Sequence, residues 1–147
     1  MGRPKIISGE IRLNEQMTSF FPAVADYFRD VYPAEACCII AGREGETRLF
    51  KAPNISKNPT YFFEMDPRLF IEIEDLGFQV QMLAHSHPDG DCAPSRSDIE
   101  GWFFTDLNQK SRPIFPGVLF AIMSVHGVDV SAAVYGADAG HFVEINV

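Results

Sequence analysis

The sequence is poor in cysteine and in basic residues, and it contains no long hydrophobic run. Among its 147 residues are only three cysteines. This odd number, without the spacing of a disulfide framework, favours a reducing compartment. The 12 lysines and arginines are outnumbered by 20 acidic residues, which gives a net charge of −8. Because nucleic acids and anionic membranes repel an acidic surface, the sequence predicts neither as a main partner.

Targeting and membrane segments are also lacking. No apolar run approaches the length of a membrane span. The basic start, Met1–Lys5, is not followed by an apolar stretch long enough for a signal peptide. We therefore expect a cytoplasmic protein. With 46% hydrophobic and 22% charged residues the composition is globular, and the length favours one domain over residues 1–147.

Helical and strand patterns are mixed along the chain. Apolar residues at three- and four-residue spacing from Met17 to Val31 predict an amphipathic helix. Within it, Pro22 either introduces a kink or lies in the first turn of a helix that starts near Ser19. Two further helices are predicted, at 67–76 and 95–107. Strands are predicted at 36–41, 47–52, 61–65, 80–87, 118–125, 128–135 and 141–147. Without regular βαβ alternation, these elements indicate an α/β or α+β fold around one sheet.

The most informative pattern is His85-Ser86-His87-Pro88 at the end of a predicted strand. Because strand side chains alternate, His85 and His87 project from one face about 6–7 Å apart, which allows both to bind one metal ion. Ser86 then points to the opposite face. Asp98, in the first turn of the helix opened by Ser95, would be the third ligand. Two nitrogens and one carboxylate oxygen form a hydrolytic zinc set with a position left for water.

Hydrolysis also requires a base that accepts the proton of the attacking water. Glu35 stands directly before the buried strand at 36–41. A charged residue at this place lies either at the solvent-facing lip of the sheet or in a reactive site, and the residues alone leave both readings open. Cys92, between the ligands, is interpreted as a loop thiol.

Together, these residues resemble the signature of the JAMM (MPN-plus) metalloprotease family. That signature is an upstream glutamate, then His-x-His-Pro, six residues, serine, two residues and aspartate. Every position is filled here, with residues 89–94 as the six-residue gap. The segment 54–67 is also similar to stand-alone bacterial members and to JAMM modules of phage tail proteins. One departure is Cys38, where relatives often carry glycine. The resemblance spans roughly residues 10–136.

The resemblance implies a zinc centre with one ion per chain, bound by His85, His87 and Asp98. It further implies that Glu35 handles the proton of the water and that Ser95 stabilises the oxyanion. A serine hydroxyl at this position also commonly caps a helix, so that alternative stays open. The implied fold is a cytidine-deaminase-like single domain with a curved, mostly antiparallel sheet flanked by helices.

The function implied is that of a zinc metallopeptidase or isopeptidase. It would cleave a peptide or isopeptide bond at the C-terminus of a ubiquitin-like or sulfur-carrier β-grasp protein. One alternative is a phage-tail-type peptidase, although the chain ends at Val147 without a second hydrolase domain, which favours the stand-alone bacterial type. The other is a non-catalytic MPN scaffold, which the complete ligand set disfavours. Segments 54–60 and 89–94 are candidate specificity loops, and the sequence does not reveal the substrate or the oligomeric state.

Overall fold

The computed structural model describes residues 12–138 and 141–145. The predictions on the basic start Met1–Lys5 and on the chain end at Val147 concern residues outside these ranges. None of the helices within these ranges is long and apolar enough to cross a membrane. The elements follow one another in this order: α1 (Glu15–Thr18), α2 (Phe21–Val31), β1 (Cys37–Arg43), β2 (Glu46–Ala52), α3 (Pro67–Asp75), β3 (Gln79–Pro88), α4 (Arg96–Trp102), β4 (Phe103–Thr105), β5 (Ser111–Pro113), β6 (Leu119–His126), β7 (Asp129–Asp138) and β8 (His141–Ile145).

Six of the strands form one sheet in the order β2-β1-β3-β6-β7-β8, while β4 and β5 pair as a separate hairpin. All neighbours in the sheet are antiparallel except β3 and β6, which run parallel. A parallel pair requires a long crossover connection, and α4 with the β4–β5 hairpin provides it here. This mostly antiparallel sheet flanked by helices confirms the predicted fold class.

Strand alternation divides the core into two layers, one on each face of the sheet. One layer combines Met17 of α1 and Phe28 of α2 with Ile40 and Met82 of the sheet. The other layer combines Ile73 of α3 and Trp102 of α4 with sheet residues such as Ile39, Leu83 and Phe120. Consecutive strand residues therefore serve different layers, and the side of the sheet on which a residue lies can be read from its position in the strand.

Pro22 lies in the first turn of its own helix. α1 ends at Thr18, and α2 begins at Phe21 with Pro22 among its first two positions. A proline is well tolerated there because the first backbone N–H groups of a helix have no intrahelical acceptor. Of the two alternatives that the sequence left open, the helix start is therefore correct.

Two predicted elements are wrong. Residues 61–65 form a turn and irregular backbone instead of a strand, because the amide of Glu64 and the carbonyl of Phe62 bond to the side chain of Asn54. The helix predicted over 95–107 ends at Trp102, and residues 103–105 form β4, which pairs with β5. Aromatic and β-branched residues at 103–105 favour this extended backbone. Leu107, the last residue of the predicted helix, is fully exposed.

Phe28 provides a test of the layer beneath α2. Its side chain is completely buried against the sheet, so Phe28→Ala would leave a cavity and lower the free energy of unfolding by about 3–5 kcal/mol. Phe104→Ala, at a half-exposed position of β4, is the matched control and should cost less than about 1 kcal/mol. Urea denaturation of both variants measures the difference, and equal losses would contradict the described packing.

Candidate metal centre

β3 presents His85 and His87 on the face of the sheet that α3 and α4 cover. His85 is fully buried in the middle of the sheet, opposite Cys37 of β1 and Ile122 of β6. The Nε2 atoms of the two histidines lie 3.0 Å apart. Ser86 points to the opposite face, as predicted, where its Oγ accepts a hydrogen bond from the amide of Ala36 at 2.8 Å. The strand thus brings both imidazoles to one point.

α4 brings Asp98 to the same point. Ser95 caps the helix, since its Oγ accepts a hydrogen bond from the Asp98 amide at 3.1 Å. In return, the Ser95 amide donates to Asp98 Oδ2 at 2.8 Å. This capping box fixes the carboxylate with Oδ1 3.1 Å from His85 Nε2 and Oδ2 3.1 Å from His87 Nε2. The local pattern Ser-x-x-Asp therefore sets the position of the third predicted ligand.

The separations within this cluster suit a small divalent ion. Ligand atoms of His85, His87 and Asp98 all lie within 4.8 Å of one another. Tetrahedral zinc, with bonds of about 2.0–2.1 Å, separates neighbouring ligand atoms by roughly 3.3 Å, close to the 3.0 and 3.1 Å between the facing atoms here. Two imidazole nitrogens and a carboxylate oxygen are also donors that zinc accepts. The three residues can therefore hold a metal ion.

The ring of His85 is held by packing. Phe63 stacks on it with a centroid distance of 4.3 Å, and Phe120 contacts it at 5.0 Å. Its Nδ1 is buried, and no described residue offers that atom a hydrogen bond. Many metal-ligating histidines are oriented through a hydrogen bond to the second nitrogen. In this site the two aromatic rings provide the orientation.

His87 is oriented through its second nitrogen. Nδ1 lies 2.8 Å from the carbonyl oxygen of Asp91, which can only accept, so Nδ1 carries a proton and donates this bond, and Nε2 is directed at the cluster. The neighbouring Gly90 carbonyl accepts from Ser124 Oγ at 2.5 Å and lies 2.8 Å from His126 Nε2. A side chain at Gly90 would place its Cβ only 3.2 Å from the Cβ of His87. Residues 88–91 therefore form a fixed support for this ligand.

Electrostatics within the cluster keep two of the three ligands in their metal-binding form. Burial opposes the charge of Asp98, but hydrogen bonds from His85, His87 and the Ser95 amide hold the pKa of the carboxyl below its usual range. Burial lowers the pKa of His85, which favours the neutral imidazole. Burial also lowers the pKa of His87, but Asp98, the Asp91 carbonyl and Glu35 together outweigh it, so the pKa of His87 is raised. Protons therefore compete with a metal chiefly at His87.

Glu35 is buried beside the cluster, with 8% of its surface exposed. Its amide donates to the Pro59 carbonyl at 2.6 Å, and its own carbonyl accepts from Asn54 Nδ2 at 2.9 Å. Burial raises the pKa of the carboxyl to about 7. The nearby His87 lowers this pKa, and the nearby Asp98 raises it. Glu35 thus lines the cavity and is not at an exposed lip of the sheet, and its role in a reaction stays a prediction. A carboxyl with a near-neutral pKa can both accept and release a proton.

Ser95 serves as the helix cap, which is the structural alternative that the sequence left open. Its hydroxyl oxygen accepts from the Asp98 amide, and the residue also lines the cavity that contains Glu35 and both histidines. Because a hydroxyl can accept one hydrogen bond and donate another, capping leaves its proton available. A role of Ser95 toward an oxyanion stays a prediction.

Asn54 organises the backbone around Glu35, whereas the sequence predicted only that it belongs to a candidate specificity loop. Its Nδ2 donates to the carbonyls of Glu35 and Phe62, each at 2.9 Å, and its Oδ1 accepts from the amides of Ser56 and Glu64, each at 3.0 Å. The local bond to Ser56 is an Asx turn that the sequence Pro-Asn could have signalled. The bonds to Glu35, Phe62 and Glu64 depend on the fold. Asn54 thereby fixes both Glu35 and the segment 60–65.

The cluster lies in a cavity of about 860 Å³. Its polar part contains the candidate ligands, Glu35 and Ser95, and its remaining walls are mainly apolar side chains from the segment 60–65, α3, α4, β3 and β6. A cleft of this size that combines an apolar lining with a few converging polar groups is typical of a site for a small molecule or a peptide.

Comparison with known proteins gives one family match and two curated relatives. The family described as prokaryotic homologs of the JAB domain matches residues 19–133. The tail tip assembly protein K of Escherichia phage N15 is 37% identical over 67 residues, which cover 46% of the chain and 27% of that protein. A desampylase of Haloferax volcanii is 30% identical over 103 residues, which cover 65% of the chain and 66% of that protein. The chain thus matches only part of each relative.

Two solved structures share the fold. A protein of Desulfitobacterium hafniense has a TM-score of 0.65 at 21% identity and covers 86% of each chain. A JAB1/MPN domain protein of Archaeoglobus fulgidus has a TM-score of 0.52 at 18% identity, covering 87% of this chain and 91% of its own. These similarities support the architecture described above.

Glu35 should lower the stability of the metal-free protein at neutral and alkaline pH. Because its folded pKa of about 7 exceeds the ordinary 4.5, the folded state binds the extra proton between these values, and stability from this group falls as pH rises through that window. Glu35→Gln should therefore raise the free energy of unfolding by about 1–3 kcal/mol at pH 8 and leave it unchanged at pH 4. Urea denaturation with chelator, using exposed Glu100→Gln as control, measures this. An equal effect at both pH values would argue against the buried charge.

Proposed function

The chain belongs to the family of prokaryotic homologs of the JAB domain, and from that premise we propose that it is a zinc-dependent hydrolase of peptide or isopeptide bonds. The observation that carries this proposal is the convergence of His85, His87 and Asp98 in one cavity with a buried glutamate. A scaffold that only binds a partner has no need of three converging ligands and a near-neutral carboxyl. A non-catalytic role is therefore less well supported.

In the proposed site, His85 Nε2, His87 Nε2 and a carboxylate oxygen of Asp98 would hold one zinc ion. When bound, zinc supplies Lewis acidity and makes water more acidic at neutral pH. Glu35 accepts the proton from the attacking water and transfers it to the nitrogen of the leaving amine. The Ser95 hydroxyl, which still has a proton to donate, stabilises the negative oxygen that develops on the substrate carbonyl.

The support of these residues explains why they would act together. The bond between Ser86 and Ala36 joins β3 to the start of β1, directly after Glu35. The Asn54 side chain holds the Glu35 carbonyl from the other side. Catalytic groups must be held close to their productive geometry by the surrounding hydrogen bonds. Both bonds are suited to keep the Glu35 carboxyl beside the ligands.

For the substrate, we propose the C-terminus of a ubiquitin-like or sulfur-carrier β-grasp protein. The support is the similarity to a desampylase, together with the motif resemblance. A phage-tail setting is the second candidate, and the similarity to a tail tip assembly protein favours it.

Two expectations from the sequence stay predictions. One is that residues 1–147 form a single domain, and the other is that the protein is cytoplasmic.

Zinc binding is the first test of the proposal. We expect one zinc ion per chain, measured by atomic emission and by calorimetric titration of the chelator-treated protein. His87→Ala should weaken zinc binding by more than about 100-fold, because second-shell changes alone cost 10–100-fold. Glu35→Gln is the matched control and should retain the ion, since Glu35 is not a ligand in the proposed site. Loss of zinc from Glu35→Gln would show that its assigned role is wrong.

Hydrolysis is the second test. Zinc-loaded protein should release a reporter fused to the C-terminus of a ubiquitin-like or sulfur-carrier protein, as detected by mass spectrometry. Glu35→Gln should lower kcat by about 10²–10⁴ while zinc stays bound, because general acid–base catalysis contributes this much. Cleavage of a panel of unstructured peptides instead would favour the second candidate, the phage-tail setting. If zinc-loaded protein binds partners but cleaves none of these substrates, the scaffold interpretation replaces the proposed one.

A further inference from the structure

The candidate metal centre continues into a series of aromatic rings. From His85, ring contacts lead to Phe120 at 5.0 Å, to Trp102 at 4.7 Å, to Phe115 at 5.4 Å and to Phe70 at 5.7 Å. All four aromatic residues line the same cavity as the cluster. We refer to Phe120, Trp102, Phe115 and Phe70 as the aromatic wall. It begins at a candidate ligand and extends away from the polar groups.

The outer part of this cavity offers apolar surface that the fold leaves open. Phe120 and Trp102 are buried, but Phe115 and Phe70 are only half-buried, as are Phe63 and Met65 on the facing segment. A cavity of about 860 Å³ is large enough for more than an extended backbone. A substrate residue without a side chain beside the cluster would leave most of this apolar surface in contact with water, so the cavity favours a larger occupant.

Gly101 keeps part of this space free. It lies within α4 and lines the cavity, and a Cβ built on it would meet no atom within 4 Å. Its φ is not positive, so the backbone does not require glycine. Glycine within a helix is less stable than alanine by about 0.5–1 kcal/mol. Gly101 is exposed, and neither a packing contact nor its backbone conformation requires glycine, so its place in the cavity lining is the feature that we consider.

We infer that the substrate carries a large apolar side chain, aromatic or long aliphatic, on a residue next to the bond that is cleaved, and that the aromatic wall receives it. This inference rests on the proposed hydrolysis and specifies its substrate class. With the scissile carbonyl at the His85–His87–Asp98 cluster, a neighbouring side chain can reach Trp102 and Phe115 along the wall. Gly101, which lines the cavity, is then the specificity-determining residue of this inference, because a side chain that enters the cavity from this position would narrow it.

Binding is measured separately from cleavage. The probes are N-acetyl peptide amides in two series. In the first series the residue before the central amide bond is either glycine or phenylalanine, and in the second series the residue after that bond is. They are titrated into zinc-loaded Glu35→Gln protein, in which the probes stay intact. Trp102 is the only tryptophan of the chain, so its fluorescence reports occupancy of the wall directly. In one series, we expect the phenylalanine probe to bind about tenfold or more tightly than the glycine probe and to change the Trp102 emission.

Gly101→Leu is the decisive variant. It should reduce affinity for the phenylalanine probe by about tenfold or more and leave the glycine probe unaffected. Glu100→Leu, which adds the same side chain to an exposed position of α4 outside the cavity, is the matched control and should change neither. Gly101→Ala is a milder second variant, for use if the leucine variant is poorly folded by circular dichroism.

The outcomes separate this inference from the proposed function. If wild-type protein cleaves substrates but glycine and phenylalanine probes bind equally, the inference is overturned and the hydrolase proposal stands. If phenylalanine is preferred and Gly101→Leu removes the preference, the aromatic wall is the recognition site, and a failure to cleave any substrate would then count against the hydrolase proposal alone. A preference for phenylalanine that Gly101→Leu leaves intact would place the recognition outside the aromatic wall and overturn the inference.

Discussion

The site depends on the alternation of side chains along β3, which lies inside the sheet between β1 and β6. His85 and His87 project into the layer under α3 and α4, while Ser86 projects into the layer under α1 and α2 and bonds to the Ala36 amide. A shift of β3 by one residue would exchange these faces and bury both imidazoles in the wrong layer. Because β1 and β6 pair with β3 on its two sides, the same register places Cys37, two residues after Glu35, and Ile122, two residues after Phe120, opposite His85.

Burial and hydrogen bonding set the charges of the two carboxyls in this site. Asp98 and Glu35 are nearly buried, and burying an unpaired charge is costly. Asp98 is stabilised by two imidazoles and by the capping amide of Ser95. For Glu35 the result is a carboxyl whose pKa lies near neutrality. The two carboxyls therefore differ in character, since one remains ionised and can bind a metal while the other can exchange a proton.

Two irregular segments give the cavity its shape, and each is fixed by a few specific bonds. The segment 53–66 is organised around the Asn54 side chain, and residues 88–91 are held through the Gly90 and Asp91 carbonyls. The first segment places Phe63 on the ring of His85, and the second orients His87. The candidate ligands and the aromatic wall thus line one cavity, and the wall begins beside His85.

The sequence by itself determined the features that depend on neighbours along the chain. These are the shared face of His85 and His87, the opposite face of Ser86, and the position of Asp98 in the turn capped by Ser95, because strand and helix periodicities are local. Only the tertiary structure decided that Glu35 lies beside residues fifty positions away, that Asn54 organises residues 61–65 without a strand, and that the chain leaves α4 at Trp102 to form a hairpin. These features depend on hydrogen bonds and packing between distant segments, which no local periodicity encodes.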